Sequence, residues 1–352
     1  FFIILWYNQN IKTQKRGITM HLLNTPIKIG NLDLKNRLVM PPMATAKSSE
    51  NGEVTAQLCD YYGEKTAGGY IGLVITEHSY VSMEGKASKG QLSIADDSTV
   101  EGLRRLTDTI HENGSKVIAQ INHAGGVANP QITGRPALGV STVVMPKFPG
   151  TPTAMTRQDI GKVVEDFAAA AARAKKAGFD GVEIHSAHGY LLNQFYSPLT
   201  NTRTDEYGAD TMGNRLRLHT EIIKAVRDVV GQDYPIALRL GACDYMEGGS
   251  TVQDGAEAAK ILEQAGIDLL DVSGGFCGYL RPDAKVQGYF QELTEAMKKV
   301  VNLPIILTGG ITEAAAAETL LQEHKADLIG VGRAILKDSS WARKAILSCQ
   351  EA

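Results

Sequence analysis

The segment PIILTGGITEAAAAETLLQEHKADLIGVGR, residues 304–333, contains one complete repeat of the fold. Two short apolar runs, Pro304–Gly309 and Leu328–Arg333, are partly β-branched and rich in glycine at their ends. Such runs are typical of parallel strands that are buried on both faces. Between them, Glu313–Glu323 is rich in strong helix formers. The segment therefore predicts a strand–helix–strand unit.

The same alternation extends back through most of the chain. Six further strand candidates come before this segment: Arg37–Met43, Ile71–Glu77, Lys116–His123, Gly181–Ala187, Pro235–Ala242 and Asp268–Gly274. The helical stretches between them include Ala168–Lys176, and three begin at candidate capping boxes, namely Ser98-x-x-Glu101, Thr156-x-x-Asp159 and Ser250-x-x-Gln253. Eight strand–helix units in about 310 residues fit a single-domain α/β fold, the TIM (β/α)8 barrel, better than an open doubly wound sheet.

Composition narrows the class of protein. The 352 residues are 43% hydrophobic and 21% charged, which is the mix of a globular protein with a sizeable core. A net charge of −3 gives no electrostatic case for nucleic acid or a membrane as partner. Four scattered cysteines form no C-x-x-C pair, which excludes an iron–sulfur or zinc-ribbon motif and favours a cytoplasmic setting. We expect a small-molecule substrate and leave homo-oligomer formation open.

The first 19 residues differ from the rest. The apolar run Phe1–Trp6 is far shorter than the roughly 20 residues that span a bilayer. No basic segment precedes it, as a signal peptide would require, and Met20 begins an ordinary domain sequence. We therefore expect residues 1–19 to be a non-native or disordered leader and residues 20–352 to form the barrel.

Polar residues follow the predicted strands at the end where TIM barrels carry their chemistry. They are Thr45, Glu77, His78, Gln120, His123, His185, His188, Arg239, Ser273, Thr308 and Arg333. After the last two strands, Gly309, Gly310 and Gly332 can offer backbone N–H groups to an anion, and Arg333 adds a bidentate donor. This pattern predicts a phosphate-bearing ligand. The alternative is that the glycines make tight turns and Arg333 braces the rim.

His185, His188 and Tyr190 leave the fourth strand together. An imidazole can donate to a ligand oxygen, and a phenol can transfer a proton. Two other interpretations stay open. The histidines could be structural, with Tyr190 packed in a helix, or they could bind a metal in a set made of Glu183, His185, His188 and either His123 or Asp244.

Arg239 and Gln120 place polar groups inside apolar strands. A buried arginine needs an internal carboxylate or a ligand with partial negative charge. Together the two residues indicate a polar heterocycle. No lysine ends a strand, so a Schiff-base mechanism lacks its nucleophile. The charges of the long segment Ser197–Arg215 predict a structural brace.

Three long motifs occur in a fixed order: Pro26-Ile27-x-Ile29-Gly30 to Met40-Pro41-Pro42-Met43, His185-x-Ala187-His188-Gly189-Tyr190-Leu191-Leu192, and Asn201-x-Arg203-x-Asp205-x-Tyr207-Gly208. On these motifs, residues 22–345 resemble the old yellow enzyme family of FMN-dependent ene-reductases. The resemblance implies FMN as cofactor and NADH or NADPH as reductant. It also implies that the FMN phosphate is bound by Gly309, Gly310, Gly332 and Arg333.

The resemblance implies roles for the other residues as well. The isoalloxazine would be contacted by Pro42, Met43, Ala44 and the backbone at His78, with Gln120 at its pyrimidine edge and Arg239 near N1 and the C2 carbonyl. Hydride would pass from NAD(P)H to flavin N5 and then to the β-carbon of an activated alkene such as an enone or enoate. The catalytic residues would be His185 and His188, which bind the substrate oxygen, and Tyr190, which donates a proton to the α-carbon.

Three departures from the family pattern bear on this expectation. Ala44 stands where the family usually has Thr or Cys, so the flavin loses a hydrogen bond that tunes its potential. Ala46 replaces a tyrosine with which one bacterial branch contacts substrate. The sequence ends at Ala352 without that branch's C-terminal arginine segment, and without the iron–sulfur and dinucleotide domains of larger relatives. We therefore expect a diffusible nicotinamide or a partner protein to deliver the reductant.

Two other functions compete with alkene reduction. One is a flavin-binding barrel with a non-alkene acceptor or weak turnover, and the other is a metal-dependent barrel hydrolase that uses His185, His188 and His123. Substrate choice would depend on the loops Ala124–Met155 and Phe276–Gly288.

Overall fold

Eight parallel strands close into a barrel in the computed structural model, which describes residues 21–145, 150–281 and 283–349. The strands are β1 Ile27–Ile29, β2 Leu32–Leu34, β3 Leu38–Met40, β4 Leu73–Ile75, β5 Ser79–Tyr80, β6 Lys116–Asn122, β7 Leu138–Gly139, β8 Thr153–Ala154, β9 Gly181–Ser186, β10 Ile236–Cys243, β11 Leu269–Gly274, β12 Ile305–Leu307 and β13 Leu328–Gly330. Neighbours around the barrel are β3, β4, β6, β9, β10, β11, β12 and β13, and the pairing of β13 with β3 closes the ring. The expected TIM barrel is confirmed. The leader expected at residues 1–19 lies outside the described residues.

Helices alternate with these strands. They are α1 Ala56–Thr66, α2 Val100–Glu112, α3 Pro130–Thr133, α4 Arg157–Lys176, α5 Leu191–Tyr196, α6 Met212–Arg215, α7 Arg217–Val230, α8 Val252–Ala265, α9 Gln291–Lys298, α10 Ala314–Gln322, α11 Arg333–Lys337 and α12 Trp341–Ser348. Their buried residues recur every three or four positions, as Leu103, Leu106 and Ile110 do in α2. This spacing places one apolar stripe of each helix against the outside of the barrel.

The strands form where the sequence is apolar on both faces. Every residue of β10 is buried, and so is every residue of β9 and β11. All eight predicted strands are present, but several are shorter than predicted. Arg37–Met43 contains only β3, and Pro304–Gly309 contains only β12, because the backbone beyond each strand turns away to line a cavity.

Only one of the three predicted capping boxes is correct. Thr156 accepts from the backbone N–H of Asp159, whose side chain accepts in return. The helix predicted to start at Ser250 is instead capped one residue later, by Thr251 and Asp254. Ser98 caps nothing, because Asp96 caps the preceding turn and α2 begins after Thr99 without a side-chain cap. The sequence spacing found these helices but not always their first residue.

One end of the barrel interior is apolar and the other is polar. The β1–β2 hairpin buries its apolar side chains with those at the amino-terminal ends of the barrel strands, among them Val39, Leu73, Ile306 and Leu328. Further along the strands, Gln120 pairs in register with Glu183, and Arg239 pairs with both His185 and Asp271. The parallel register thus assembles polar side chains at the carboxyl end.

Candidate active site

A cavity of about 530 Å³ opens at the carboxyl ends of the barrel strands. Its walls contain every residue that the sequence assigned to the site: Pro42, Met43, Ala44, His78, Gln120, His185, His188, Tyr190, Arg239, Gly309, Gly310, Gly332 and Arg333. A larger open groove of about 850 Å³ follows β10 and β11, but none of these residues lines it. The fold therefore brings the candidate residues into one place.

Two glycines at one end of the cavity have positive φ angles, which residues with a side chain rarely adopt. Gly309 and Gly310 have φ angles of 124° and 68°. A Cβ atom on either would lie within 3.0 Å of the Tyr289 ring, at 2.9 Å for Gly309 and 2.7 Å for Gly310. Within the described residues, the amides of Gly310 and Gly332 have no protein acceptor. Free amides beside a cationic side chain suit a phosphate group.

Arg333 supplies that cation at the same end. Its Nη2 donates to the Tyr289 hydroxyl at 3.1 Å, which orients the guanidinium along the cavity wall. Tyr289 could not be predicted as a site residue, because a single aromatic residue in a loop after β11 has no distinguishing pattern. Thr308, the one polar residue between β12 and the glycines, donates to the carbonyl of Val272 and so ties β12 to β11.

A buried charged cluster lies beneath the middle of the cavity. Gln120 Nε2 donates to Glu183 Oε1 at 2.8 Å, and Arg239 Nε lies 3.3 Å from Asp271 Oδ2. Burial raises the pKa of Asp271 to about 6 against the opposing effect of Arg239, and burial together with Asp271 raises that of Glu183 well above its usual range. The internal carboxylate that a buried arginine requires is therefore Asp271.

This cluster fits the pyrimidine edge of a flavin. Arg239 Nε and the second carboxylate oxygen of Glu183 are buried without a well-formed hydrogen bond among the described residues. Gln120 and Arg239 both reach the cavity wall, where an amide and a guanidinium can meet ring nitrogens and carbonyl oxygens. The residues present thus match both the polar ring and the phosphate of FMN.

His185, His188 and Tyr190 form an aromatic cluster on the wall. The ring centroids of His185 lie 5.3 Å from His188 and 5.1 Å from Tyr190. His188 has a positive φ of 61°, and its Nε2 lies 2.8 Å from Ser273 Oγ, so the hydroxyl holds the ring of this strained residue. Burial lowers the pKa of both histidines well below the usual range and raises that of Tyr190. At neutral pH, two neutral imidazoles and a protonated phenol therefore share the cavity.

Other strand-end residues have structural contacts. Thr45 Oγ1 donates to Glu77 Oε1 at 2.6 Å, and His123 Nδ1 accepts from the Gly125 amide at 3.0 Å. Asp244 accepts from Ser197, Ser250 and the Phe276 amide. In the part of the chain that the structure describes, Glu183, His185 and His188 form no metal-binding group with His123 or Asp244.

No described helix is both long and apolar enough to cross a membrane.

The charged residues of Ser197–Arg215, predicted to form a structural brace, contact backbone carbonyls and carboxylates of neighbouring loops. Arg203 donates to the carbonyls of Met155 and Val140 and pairs with Asp205. Asn201 Nδ2 donates to two further carbonyls of the same region, and Arg215 pairs with Asp254. These charges hold loops together and lie outside the cavity wall.

Comparison with known proteins gives the family. The model of the NADH:flavin oxidoreductase / NADH oxidase family matches residues 22–349. The NADH oxidase of Thermoanaerobacter brockii is 42% identical over 324 residues, which cover 90% of this chain and 50% of that protein. The NADPH dehydrogenase of Halalkalibacterium halodurans is 39% identical over 328 residues, with 93% and 94% covered.

A solved structure agrees with these sequence matches. The old yellow enzyme homologue from Zymomonas mobilis superposes with a TM-score of 0.81 at 27% identity, covering 93% of this chain and 92% of the other. The chain spans about half the length of the first curated relatives that it matches. It belongs to the NADH:flavin oxidoreductase / NADH oxidase family, with the TIM barrel of the old yellow enzymes and FMN as cofactor.

Proposed function

We propose that this chain reduces activated alkenes, such as enones or enoates, with hydride drawn from NAD(P)H. The observation that carries the proposal is the placement of Tyr190 beside the neutral His185 ring, with His188, the glycine cradle and Arg239 in the same cavity. When bound, FMN supplies a centre that accepts hydride from the nicotinamide and returns it to the alkene. The assigned residues supply binding, orientation and the proton.

The two imidazoles act on the substrate oxygen. As neutral rings, His185 and His188 can each donate an N–H to a carbonyl oxygen without placing a positive charge in the buried cavity. That contact withdraws electrons from the alkene and orients its β-carbon for hydride. Ser273 keeps His188 in position.

Tyr190 completes the reduction. Hydride adds to the β-carbon, the alkene π pair forms the bond between the α-carbon and the tyrosine proton, and the phenolate regains a proton from water. Because burial raises its pKa, Tyr190 holds that proton at neutral pH until the α-carbon becomes basic. Arg239 faces the cavity from below and stabilises negative charge on the ring system.

The two half-reactions test the proposal separately. The FMN-loaded protein is mixed anaerobically with NADH and then NADPH, and the loss of the blue flavin absorbance is followed. The reduced protein is then mixed with 2-cyclohexenone. We expect Tyr190→Phe to leave the first step unchanged and to slow the second by about 10²- to 10⁴-fold, the usual contribution of a positioned acid.

Tyr234→Phe is the matched control, because this tyrosine donates to the Phe179 carbonyl and lies outside the cavity wall. A protein that is reduced by NAD(P)H but reoxidised by no alkene would instead support the second candidate, a flavin barrel with another acceptor. The small side chain of Ala44 favours that candidate, because it removes the hydroxyl or thiol that the family usually places there. Equal rates for Tyr190→Phe and the unmodified protein would contradict the proton-donor role.

A further inference from the structure

We propose that His78 is a third hydrogen-bond donor to the substrate, and that it selects alkenes carrying a second carbonyl group, the ene-diones. The family resemblance assigned only the backbone of this residue, toward the flavin. The inference rests on the proposed alkene reduction and adds a specificity-determining side chain to it.

The protein fixes which nitrogen of His78 carries the proton. Gln91 Nε2 lies 2.7 Å from His78 Nδ1, and Asn122 Nδ2 lies 3.3 Å from the same atom. The Gln91 amide cannot turn over, because its Oε1 accepts from the Ala87 amide at 2.6 Å while its Nε2 also donates to the His78 carbonyl. An amide nitrogen can only donate, so Nδ1 must accept and the ring proton lies on Nε2.

The other ring nitrogen of His78, Nε2, has no protein partner among the described residues. His78 lines the cavity wall, and no described residue accepts a hydrogen bond from its Nε2. Its ring centroid lies 5.3 Å from that of Tyr190 and 6.3 Å from that of His185. Burial lowers the pKa of His78 to about 4, so the ring is neutral at pH 7 and donates one N–H.

Two of the three donors, His78 and His185, lie beside the proton source, Tyr190. His78 and His188 each lie against His185, at centroid distances of 6.3 and 5.3 Å, and Tyr190 contacts both His78 and His185. A substrate oxygen bound by His185 and His188 leaves the His78 donor without a partner. A donor that the bound substrate shuts off from water without pairing it is unfavourable, and a second carbonyl across the alkene would pair it. The arrangement therefore favours ene-diones over simple enones.

Two substrates with one skeleton measure this preference. They are 2,6,6-trimethylcyclohex-2-ene-1,4-dione and 2,6,6-trimethylcyclohex-2-enone, which differ only in the second carbonyl. We expect the FMN-loaded protein to prefer the dione, and His78→Leu to lower kcat/KM for the dione about tenfold, mainly through KM, as the loss of one hydrogen bond would do. The ratio of kcat/KM for the dione to that for the enone should fall by about the same factor, because only the dione loses a hydrogen bond.

Two variants separate the donor from the shape of the ring. His78→Gln keeps an N–H near the position of Nε2, so we expect it to retain most of the dione preference. His111→Gln makes the same exchange on α2, where the ring contacts Asp180 outside the cavity, and should change neither substrate. If His78→Leu affected both substrates equally, or His78→Gln behaved like His78→Leu, the donor role would be wrong. If the unmodified protein reduced neither substrate, the proposed function would fail instead.

The proton position can be read without turnover. In FMN-free protein labelled with ¹⁵N-histidine, the imidazole nitrogen shifts at pH 7 should identify His78 as the Nε2–H tautomer. Gln91→Leu removes the donor to Nδ1 and should change this pattern toward a mixture of tautomers. An Nδ1–H tautomer in the unmodified protein would overturn the inference.

Discussion

Arg239 lies inside the barrel with its charge opposed by buried carboxylates. Burial and the neighbouring Asp271 raise the pKa of Glu183 well above its usual range, and burial raises the pKa of Asp271, which pairs with Arg239, to about 6. Protonation of Asp271 below that pH leaves the guanidinium charge uncompensated. The residue that faces the pyrimidine edge is therefore part of a cluster whose net charge depends on pH.

Ala44 offers a test of flavin tuning by one side chain. Ala44→Thr adds a hydroxyl to the cavity wall, where it can donate to the flavin. Reduced flavin carries more negative charge and accepts this bond more strongly, so we expect the reduction potential to rise. A bond of about 1 kcal/mol corresponds to about 20 mV for a two-electron couple. Redox titration of the FMN-loaded protein against a dye of known potential measures the shift.

Ala44→Val is the control for this prediction. Valine has the shape of threonine without its hydroxyl, so it should leave the potential near its original value. If both variants shifted the potential equally, side-chain bulk rather than hydrogen bonding would be responsible.

At the scale of elements, strands were easier to predict than the first residues of helices. A strand buried on both faces is marked by several successive apolar residues, as in β10, so one ambiguous position does not hide it. A capping box depends on a single hydroxyl, and adjacent Ser250 and Thr251 offer two equivalent starts. Only the packing of α8 decides between them, and that information is not local.

The segment Ser197–Arg215 holds its loops by charged contacts, which gives a prediction about stability. Arg203 is mostly buried and bonds the Met155 and Val140 carbonyls as well as Asp205. Arg203→Met leaves these acceptors unpaired, so we expect the free energy of unfolding to fall by about 2–3 kcal/mol. Urea unfolding followed by circular dichroism measures the change. The flavin absorbance spectrum should be unaltered, because Arg203 lies outside the cavity wall.

Arg157→Met provides the comparison. Arg157 also pairs with a carboxylate, that of Glu206, but its side chain is 70% exposed. An exposed pair contributes little, so we expect a loss below about 1 kcal/mol. Equal losses for the two variants would mean that Arg203 is not a brace.

Over the whole molecule, the order of the strands predicted which residues lie together at the cavity. It did not predict which partners pair with those residues and orient them. The carboxyl ends of parallel strands must converge, so His185, Arg239 and Arg333 could be placed together from sequence alone. Their supporting partners, Asp271 and Tyr289, come from other repeats. No local pattern encodes such a contact, because it depends on how far each strand is shifted against the next.

The buried titratable groups act on stability in two opposite directions. Burial lowers the pKa of His78 and His123 to about 4 and that of His219 to about 3. Burial raises the pKa of Glu77 to about 7 and that of Asp271 to about 6. The histidines favour folding above their unfolded pKa of about 6.5, and the carboxylates favour it below their own unfolded values. The contribution of a single group to the pH dependence of stability can therefore be measured only by comparing a variant with the unmodified protein.

His219 is the clearest such group, because its ring is fully buried behind the barrel and contacts Ser186 at 2.7 Å. The unfolded chain binds a proton at this histidine below about pH 6.5, whereas the folded protein binds it only near pH 3. Its contribution to stability is thus present above pH 6.5 and is lost as the pH falls toward 3. We expect His219→Gln to reduce the slope of the unfolding free energy against pH by about 1.4 kcal/mol per pH unit between pH 5.5 and 4. Urea unfolding of both proteins across this range measures the slopes, and parallel curves would show that His219 is protonated in the folded state.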